Sequence, residues 1–384
     1  MTSAGRDIPP LDLAAIDWAT QRYETYRRYR THDPVHRGAE RKGRPCWYLF
    51  RHEDVTRLLA DTRLVREDPA QPLEAPMRRS PGLFELDDLW LINRDAPAHT
   101  ADRQWIARSL STDSMATLAS RTSAQLDVLL DALPERFDFV SSVAQRLPAR
   151  LLLGLIGFDD TTRLDETVVA MLRTGATVAG ATAARVALAG ELRVLHDERR
   201  ATPRDDFLSR LITTRPDASA TAVISACLFL LTTGYGGVVS LLSASALCVA
   251  GHESARERHI VRRVLDETLR LESPIQMVDR WVAEDLDVDG RRLARGDRVY
   301  LVIGSANRDP DRFASPDAFD PAREGSGHIA FGAATHACLG SGFAASVGQA
   351  AVARLAERAL RLDGPVEWCG EPFIRELVSL PMRG

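Results

Sequence analysis

The sequence predicts a mainly α fold with a minor β portion, organised as one domain. Three observations carry this. Helical apolar periodicity runs through most of the 384 residues. Strand-like runs are few and short. One long stretch, Ala218 to Gly251, carries no charge at all. A hydrophobic share of 45% with 27% charged residues is the composition of a soluble globular chain.

The elements follow from periodicity and from proline and glycine punctuation. Helices are expected over 11–30, 52–61, 97–110, 113–131, 140–156, 161–173, 180–200, 205–213, 218–250, 254–272 and 341–361. Strands are expected at Trp47–Phe50, Arg280–Ala283 and Arg298–Val302. Leu286 to Asp297 reads as a hairpin turning at Asp289-Gly290, and Phe373 to Pro381 as a second one. No repeat, low-complexity tract or linker divides the chain, so residues 1–384 form a single expected domain.

A net charge of −4 gives no general attraction to nucleic acid or anionic membrane. Only Lys42 among the 49 basic residues is lysine, a skew that hints at a GC-rich genome. The five cysteines are odd in number and lack CxxC spacing, which argues against zinc and a disulfide framework and for a reducing cytoplasm. Met1 to Arg37 has no continuous apolar core of the signal-peptide kind. Ala218–Gly251 is long enough to cross a bilayer. Its eight serines and threonines and clustered glycines favour a helix buried through the middle of the protein.

Cys338 narrows the chemistry most. It sits in His328-Ile329-Ala330-Phe331-Gly332-Ala333-Ala334-Thr335-His336-Ala337-Cys338-Leu339-Gly340, a small, turn-forming stretch that runs into the helical pattern Ser341–Leu362. A lone cysteine is ordinarily a small buried hydrophobe. Here a thiolate at the mouth of a helix gains from the helix dipole, and small neighbours let a flat ligand approach the backbone. Phe331, Gly332, His336, Cys338 and Gly340 fall in the order F-G-x-x-x-H-x-C-x-G. This resembles the haem-binding loop of cytochromes P450, of the bacterial type, with one departure: Ala334 stands where the family has a second glycine. The resemblance implies the P450 fold, with haem b between a long central helix and the cysteine loop. Cys338 is then the axial ligand of the iron, and Phe331 and Gly340 are cofactor-binding.

Other landmarks appear in the family's order. Glu267 and Arg270 share a helix face as ExxR, a weak motif alone and more often a surface ion pair. It is followed by Ser273-Pro274, Ala306-Asn307-Arg308-Asp309-Pro310 and Phe319-Asp320-Pro321-Ala322-Arg323. The resemblance assigns Glu267, Arg270 and Arg323 to a buried charged triad supporting the cysteine loop. His99 and Arg103, four apart, match the family's H-x-x-x-R helix. With Arg280 and His336 they are the implied contacts of the haem propionates.

Two departures bear on mechanism. Leu230-Leu231-Thr232-Thr233-Gly234-Tyr235-Gly236-Gly237-Val238 aligns with L-L-x-A-G-x-[DE]-T-T, where an acid and an alcohol relay protons for cleavage of dioxygen. Here those catalytic positions are Gly236 and Gly237, each costing a helix about 1 kcal/mol against alanine. After the cysteine, G-x-x-L-A-R-x-E is replaced by Gly340-Ser341-Gly342-Phe343-Ala344-Ala345-Ser346-Val347. Losing that arginine and glutamate weakens the steering of an electron-donor protein, or selects a different one. The stretch between the long helix and Glu267 is also shortened. Substrate-pocket candidates, each equally open to a plain core role, are Phe84, Leu89, Trp90, Leu172, Thr233 and Met277.

The resemblance spans about residues 10 to 384. It implies a haem-thiolate oxidoreductase that hydroxylates or oxidatively couples a small secondary metabolite, free or carrier-protein-tethered. A ferredoxin-type partner supplies electrons, and substrate or water supplies the protons. The alternatives left open are a redox-neutral cyclase, isomerase or dehydratase, a peroxide-dependent enzyme, and a non-catalytic substrate- or carrier-binding scaffold. No nucleic acid or membrane partner is expected.

Overall fold

Apolar periodicity and turn residues set the local structure. The computed structural model describes residues 8–41, 44–69, 90–110, 117–173, 175–325, 327–358 and 360–384. Its helices are α1 (Arg22–His32), α2 (His52–Leu59), α3 (Ala98–Ser109), α4 (Leu118–Asp131), α5 (Arg146–Ile156), α6 (Thr162–Leu172), α7 (Val178–Ala201), α8 (Phe207–Thr214), α9 (Ala220–Gly251), α10 (Val261–Leu271), α11 (Ile303–Ala306) and α12 (Ser341–Arg358). The strands described here are β1 (Val35–Arg41), β2 (Arg44–Leu49), β3 (Leu64–Val65), β4 (Arg136–Asp138), β5 (Val278–Val282), β6 (Leu286–Val288), β7 (Arg291–Leu293), β8 (Arg298–Leu301), β9 (Arg361–Leu362) and β10 (Pro381–Arg383). The mainly α, minor β reading holds.

The chain clusters into two units, each assembled from three stretches: 1–75, 266–338 and 368–376 form the first, and 76–265, 339–367 and 377–384 the second. In the first unit a five-stranded sheet runs β1-β2-β8-β5-β3. The β2–β8 pair is parallel, Cys46 to Leu49 facing Arg298 to Leu301, and the other pairs are antiparallel. Strand side chains alternate between faces, and each face has its own core. Trp47, Leu49, Val299 and Leu301 join a mostly aliphatic cluster. Cys46, Tyr48, Phe50, Tyr300 and Val302 join an aromatic one, in which Tyr48 stacks on Tyr300 at 4.8 Å. The hairpin β6–β7 turns at Asp289 (φ 50°) and Gly290 (φ 71°), both left-handed as its tight turn demands.

Three expectations are corrected here. The helix expected from residue 11 begins only at Arg22, because Asp12 and Asp17 bind backbone N–H groups of Ala14 and Ala19 and close turns instead. Strand β1 went unpredicted. Its sequence, Val-His-Arg-Gly-Ala-Glu-Arg, is polar, and only pairing with β2 makes it a strand. The expected helix over 254–272 is a pair of 3-10 turns, Glu253–Arg256 and Arg258–Ile260, followed by α10.

In the second unit α9 is the central element. Ser219 caps it, accepting from the Ala222 N–H. It packs against α5, α7 and α12. Two of its buried serines satisfy their hydroxyls on the helix itself, Ser243 donating to Val239 O at 2.8 Å and Ser240 to Gly236 O at 3.0 Å. By length and composition α9 could cross a membrane, but 61% of its most apolar window is buried inside the protein. A core helix is apolar all round for the same reason. Gly348 of α12 faces Leu265 of α10 and Leu241 of α9: a Cβ there would lie 2.6 Å and 3.3 Å from their side chains, so a larger residue would make both leucines shift. The expected second hairpin over 373–381 is displaced: the two-stranded pair is Glu367–Trp368 with Leu377–Ser379, and Pro381–Arg383 runs on as β10 between β4 and β9.

Asp279 on β5 ties the first unit's sheet to charge. Burial opposes ionisation, yet Arg66 at 2.9 Å and Arg298 at 3.1 Å hold its carboxyl down at about 2. A folded-state value below the unfolded one, about 4, adds stability above pH 4 that is lost as pH falls through 2. We expect wild-type protein to lose about 2 kcal/mol between pH 4 and pH 2 beyond the loss in Asp279→Asn. Denaturant unfolding of both proteins across that range is the measurement. Identical pH slopes would remove Asp279 from the account.

Candidate functional site

The cysteine loop is shaped by its own backbone bonds. Gly332 N–H donates to Ile329 O at 2.9 Å and Cys338 N–H to Phe331 O at 2.8 Å, with a 3-10 turn, Ala334–His336, between them. Gly332 has φ 68°, a left-handed conformation that suits glycine. Its neighbour Ala334 has φ 53°. The position where the sequence departs from the expected glycine is therefore one whose backbone asks for glycine. Cys338 is exposed, whereas the other four cysteines are buried.

Behind the loop, in the first unit, Glu267, Arg270 and Arg323 are together as expected. Arg270, fully buried, grips Glu267 through two bonds of 2.8 Å. Arg323 approaches the same carboxylate at 3.4 Å, and the Asp320 N–H donates to it at 2.9 Å. Arg270 also donates to the carbonyls of Asn307, Pro316 and Ala318. Asn307 carries the support onward: its amide donates to Ser273 at 2.7 Å and accepts from the Ile329 N–H at 2.9 Å, at the start of the cysteine loop. Sequence reasoning treated Asn307 and Ser273 as landmarks only. The available signal was a polar residue at the end of the mostly apolar Val299–Ala306 segment.

The implied propionate contacts divide between the units. Arg280 is buried on β5 and His336 half-buried in the 3-10 turn of the first. His99, buried, and Arg103, half-buried, sit one turn apart on α3 in the second. Of the pocket candidates, Phe84 and Leu89 lie outside the described residues. Met277 is 3% exposed and packs in the aromatic cluster of the first unit, as a core residue would. Leu172 ends α6 half-buried. Trp90 lies 6.0 Å from the Phe229 ring and under the Arg185 guanidinium at 5.2 Å.

On α9 the two glycines leave the helix unbroken. A Cβ built on either Gly236 or Gly237 meets nothing within 4 Å. Leu230, Thr233, Gly236 and Gly237 are only partly covered, in a helix otherwise mostly buried. Helical spacing puts them along one stripe. The Thr233 hydroxyl donates to Phe229 O at 2.7 Å, and that of Ser240 to Gly236 O at 3.0 Å.

The family profile described as Cytochrome P450 matches residues 251–358. Cytochrome P450 107B1 of Saccharopolyspora erythraea is 31% identical over 396 residues, which cover 97% of this chain and 98% of that protein. The chain belongs to the cytochrome P450 family. The P450 monooxygenase PikC of Streptomyces venezuelae is 29% identical, covering 98% of this chain and 94% of that protein. The crystal structure of P450BioI with an acyl carrier protein superimposes with a TM-score of 0.86 at 26% identity, over 96% of this chain and 99% of that one.

P450s hold haem b through a cysteine thiolate, and this one is a P450-like monooxygenase. The cysteine loop fits that cofactor: one accessible thiol in a loop of small side chains. Among the described residues no group of three or more histidines, cysteines and acids could bind a metal in another way. In the helix after the cysteine, Val347 is fully buried in the second unit and Ala345 is half-buried.

Ala334 yields a direct test. Alanine in the left-handed region costs about 1–2 kcal/mol, and glycine's extra freedom in the unfolded chain returns about 0.4–1 kcal/mol. Because Ala334 is exposed, removing its Cβ leaves no cavity. We expect Ala334→Gly to stabilise the protein by about 0.5–1 kcal/mol, seen as a higher urea midpoint with unchanged slope. A lower midpoint would contradict the strained backbone.

Proposed function

We propose that this P450 oxidises a bulky secondary metabolite by hydroxylation or oxidative coupling, and that the missing acid and alcohol of α9 make room for it. The supporting observation is the open space at Gly236 and Gly237 in an intact helix. In this reading Cys338 would hold the haem iron through its thiolate, Phe331 and Gly340 would line the cofactor, and His99, Arg103, Arg280 and His336 would neutralise its propionates. Residues 1–384 work as a single domain in the cytoplasm. Bound haem supplies oxidation by dioxygen with two electrons and two protons, the thiolate favouring O–O cleavage.

The chain's own groups constrain the protons. Neither glycine can hold or move one. The nearest hydroxyl on the uncovered stripe, Thr233, has its hydrogen committed to Phe229 O, so it serves as an acceptor that orients a donor. The proton then comes from an ordered water or a substrate hydroxyl seated over the glycines. Electrons come from a ferredoxin-type protein. P450BioI was crystallised with a fatty acid ligated to an acyl carrier protein. A carrier-tethered substrate is proposed here as the alternative to a free one.

The loss of both acid and alcohol also favours a second reading, a redox-neutral isomerisation or cyclisation. Product formed without oxygen or reductant would establish it and end the monooxygenase proposal. Cys338→Ala is expected to abolish the red-shifted Soret band of the reduced, CO-bound protein and all turnover. Retained turnover would transfer the chemistry away from the iron. Gly237→Thr is expected to fold normally, since its side chain meets open space, while changing coupling efficiency or product profile. Unchanged kinetics and products would show that position to be inert.

A further inference from the structure

A cavity of about 350 Å³ opens within the second unit, walled by α3, the segment 215–219 and the first turns of α9. That volume is in the range of small-molecule sites. Five of its lining residues are alanine, at 98, 101, 218, 222 and 226, so the space stays open because the side chains around it are short. Its apolar wall is Trp105, Ile106 and Phe229. The indole of Trp105 is fixed, donating to Leu211 O at 3.0 Å with the Arg215 guanidinium 5.2 Å above its ring.

The polar wall has two guanidiniums and two carboxylates, unevenly matched. Arg94 and Arg215 both bind Asp102, one on each oxygen, Arg215 at 2.9 Å. Asp217, exposed, makes no ion pair among the described residues. Each guanidinium keeps N–H donors beyond the one given to Asp102. The pocket therefore offers donors for an anion, a separate carboxylate for a cation, and an aromatic-walled slot for an apolar group. We propose that this cavity binds a zwitterionic, amino-acid-like small molecule. Its carboxylate meets Arg215 and Arg94, its ammonium meets Asp217, and its apolar side chain lies against Trp105 and Phe229. Phe229 is four residues before Thr233 on α9, and its carbonyl holds the Thr233 hydroxyl. Occupancy of this site would be felt one helical turn from the glycine pair. The binding proposal does not rest on the oxidation chemistry proposed above, and either can fail alone.

Isothermal titration of the haem-loaded protein with L-tryptophan tests it. We expect saturable one-to-one binding, weakened at least tenfold by Asp217→Asn and by Arg215→Ala. Binding should vanish in Ala222→Phe, which fills the slot, with the CO-difference spectrum unchanged in all three variants. Tryptamine and indole-3-propionate, each lacking one charge, should bind at least tenfold more weakly. Absence of binding at millimolar L-tryptophan, or binding indifferent to Ala222→Phe, would overturn the site. Equal affinity for L-tryptophan and indole-3-propionate would overturn the zwitterion assignment.

Discussion

The buried pair of Glu267 and Arg270 is the interaction on which the cysteine loop's support depends. Arg270 has five N–H donors, and five acceptors surround it: two Glu267 oxygens and the carbonyls of Asn307, Pro316 and Ala318. A guanidinium with no exposure is tolerable only when each donor is satisfied. Removing one partner of such a pair costs about 3–5 kcal/mol, because the other charge is left buried and alone. The pair gathers residues 307, 316, 318 and 320 around one point. From there Asn307 reaches Ile329, so a charge satisfied on α10 fixes where the cysteine loop begins.

The loop itself balances opposing local demands. Gly332 takes a left-handed turn at little expense, and Ala334 takes one at a steric cost. A strained residue persists where its surroundings over-determine it. Here the bonds Gly332 to Ile329 and Cys338 to Phe331 bracket the turn that Ala334 opens. The result leaves the only exposed thiol of the chain at the loop's end, three residues before α12.

On α9 the same economy of side chains serves a different purpose. Most of the helix is fastened into the second unit by apolar packing, and Gly348 of α12 permits close contact with it. That packing offsets the propensity cost of Gly236 and Gly237, so the helix stays continuous where it presents no side chain. In the function proposed here, a bare helix face exchanges a built-in proton relay for volume, with protons delivered by the substrate and its waters. The alanines that line the cavity by α3 likewise keep space open, and there the charged residues around them define what can enter.

Much of this was legible in the sequence, and the limits of legibility are physical. Helical periodicity, the Asp289-Gly290 turn, the long uncharged helix and the cysteine loop are local signals, written in residues close along the chain. So was the family, because its motifs recur in order. The helical start at Arg22 was not legible, since Asx turns and helix compete over the same few residues. Strand β1 was not, because its polar sequence becomes a strand only through β2. Tertiary structure alone decided that Asn307 relays the Glu267–Arg270 pair to the loop, that Val347 is interior, and that Met277 belongs to an aromatic core. It alone brought Arg94, Asp102, Arg215 and Asp217 around one cavity. Those outcomes depend on burial and on contacts between residues far apart in sequence, which no local pattern encodes.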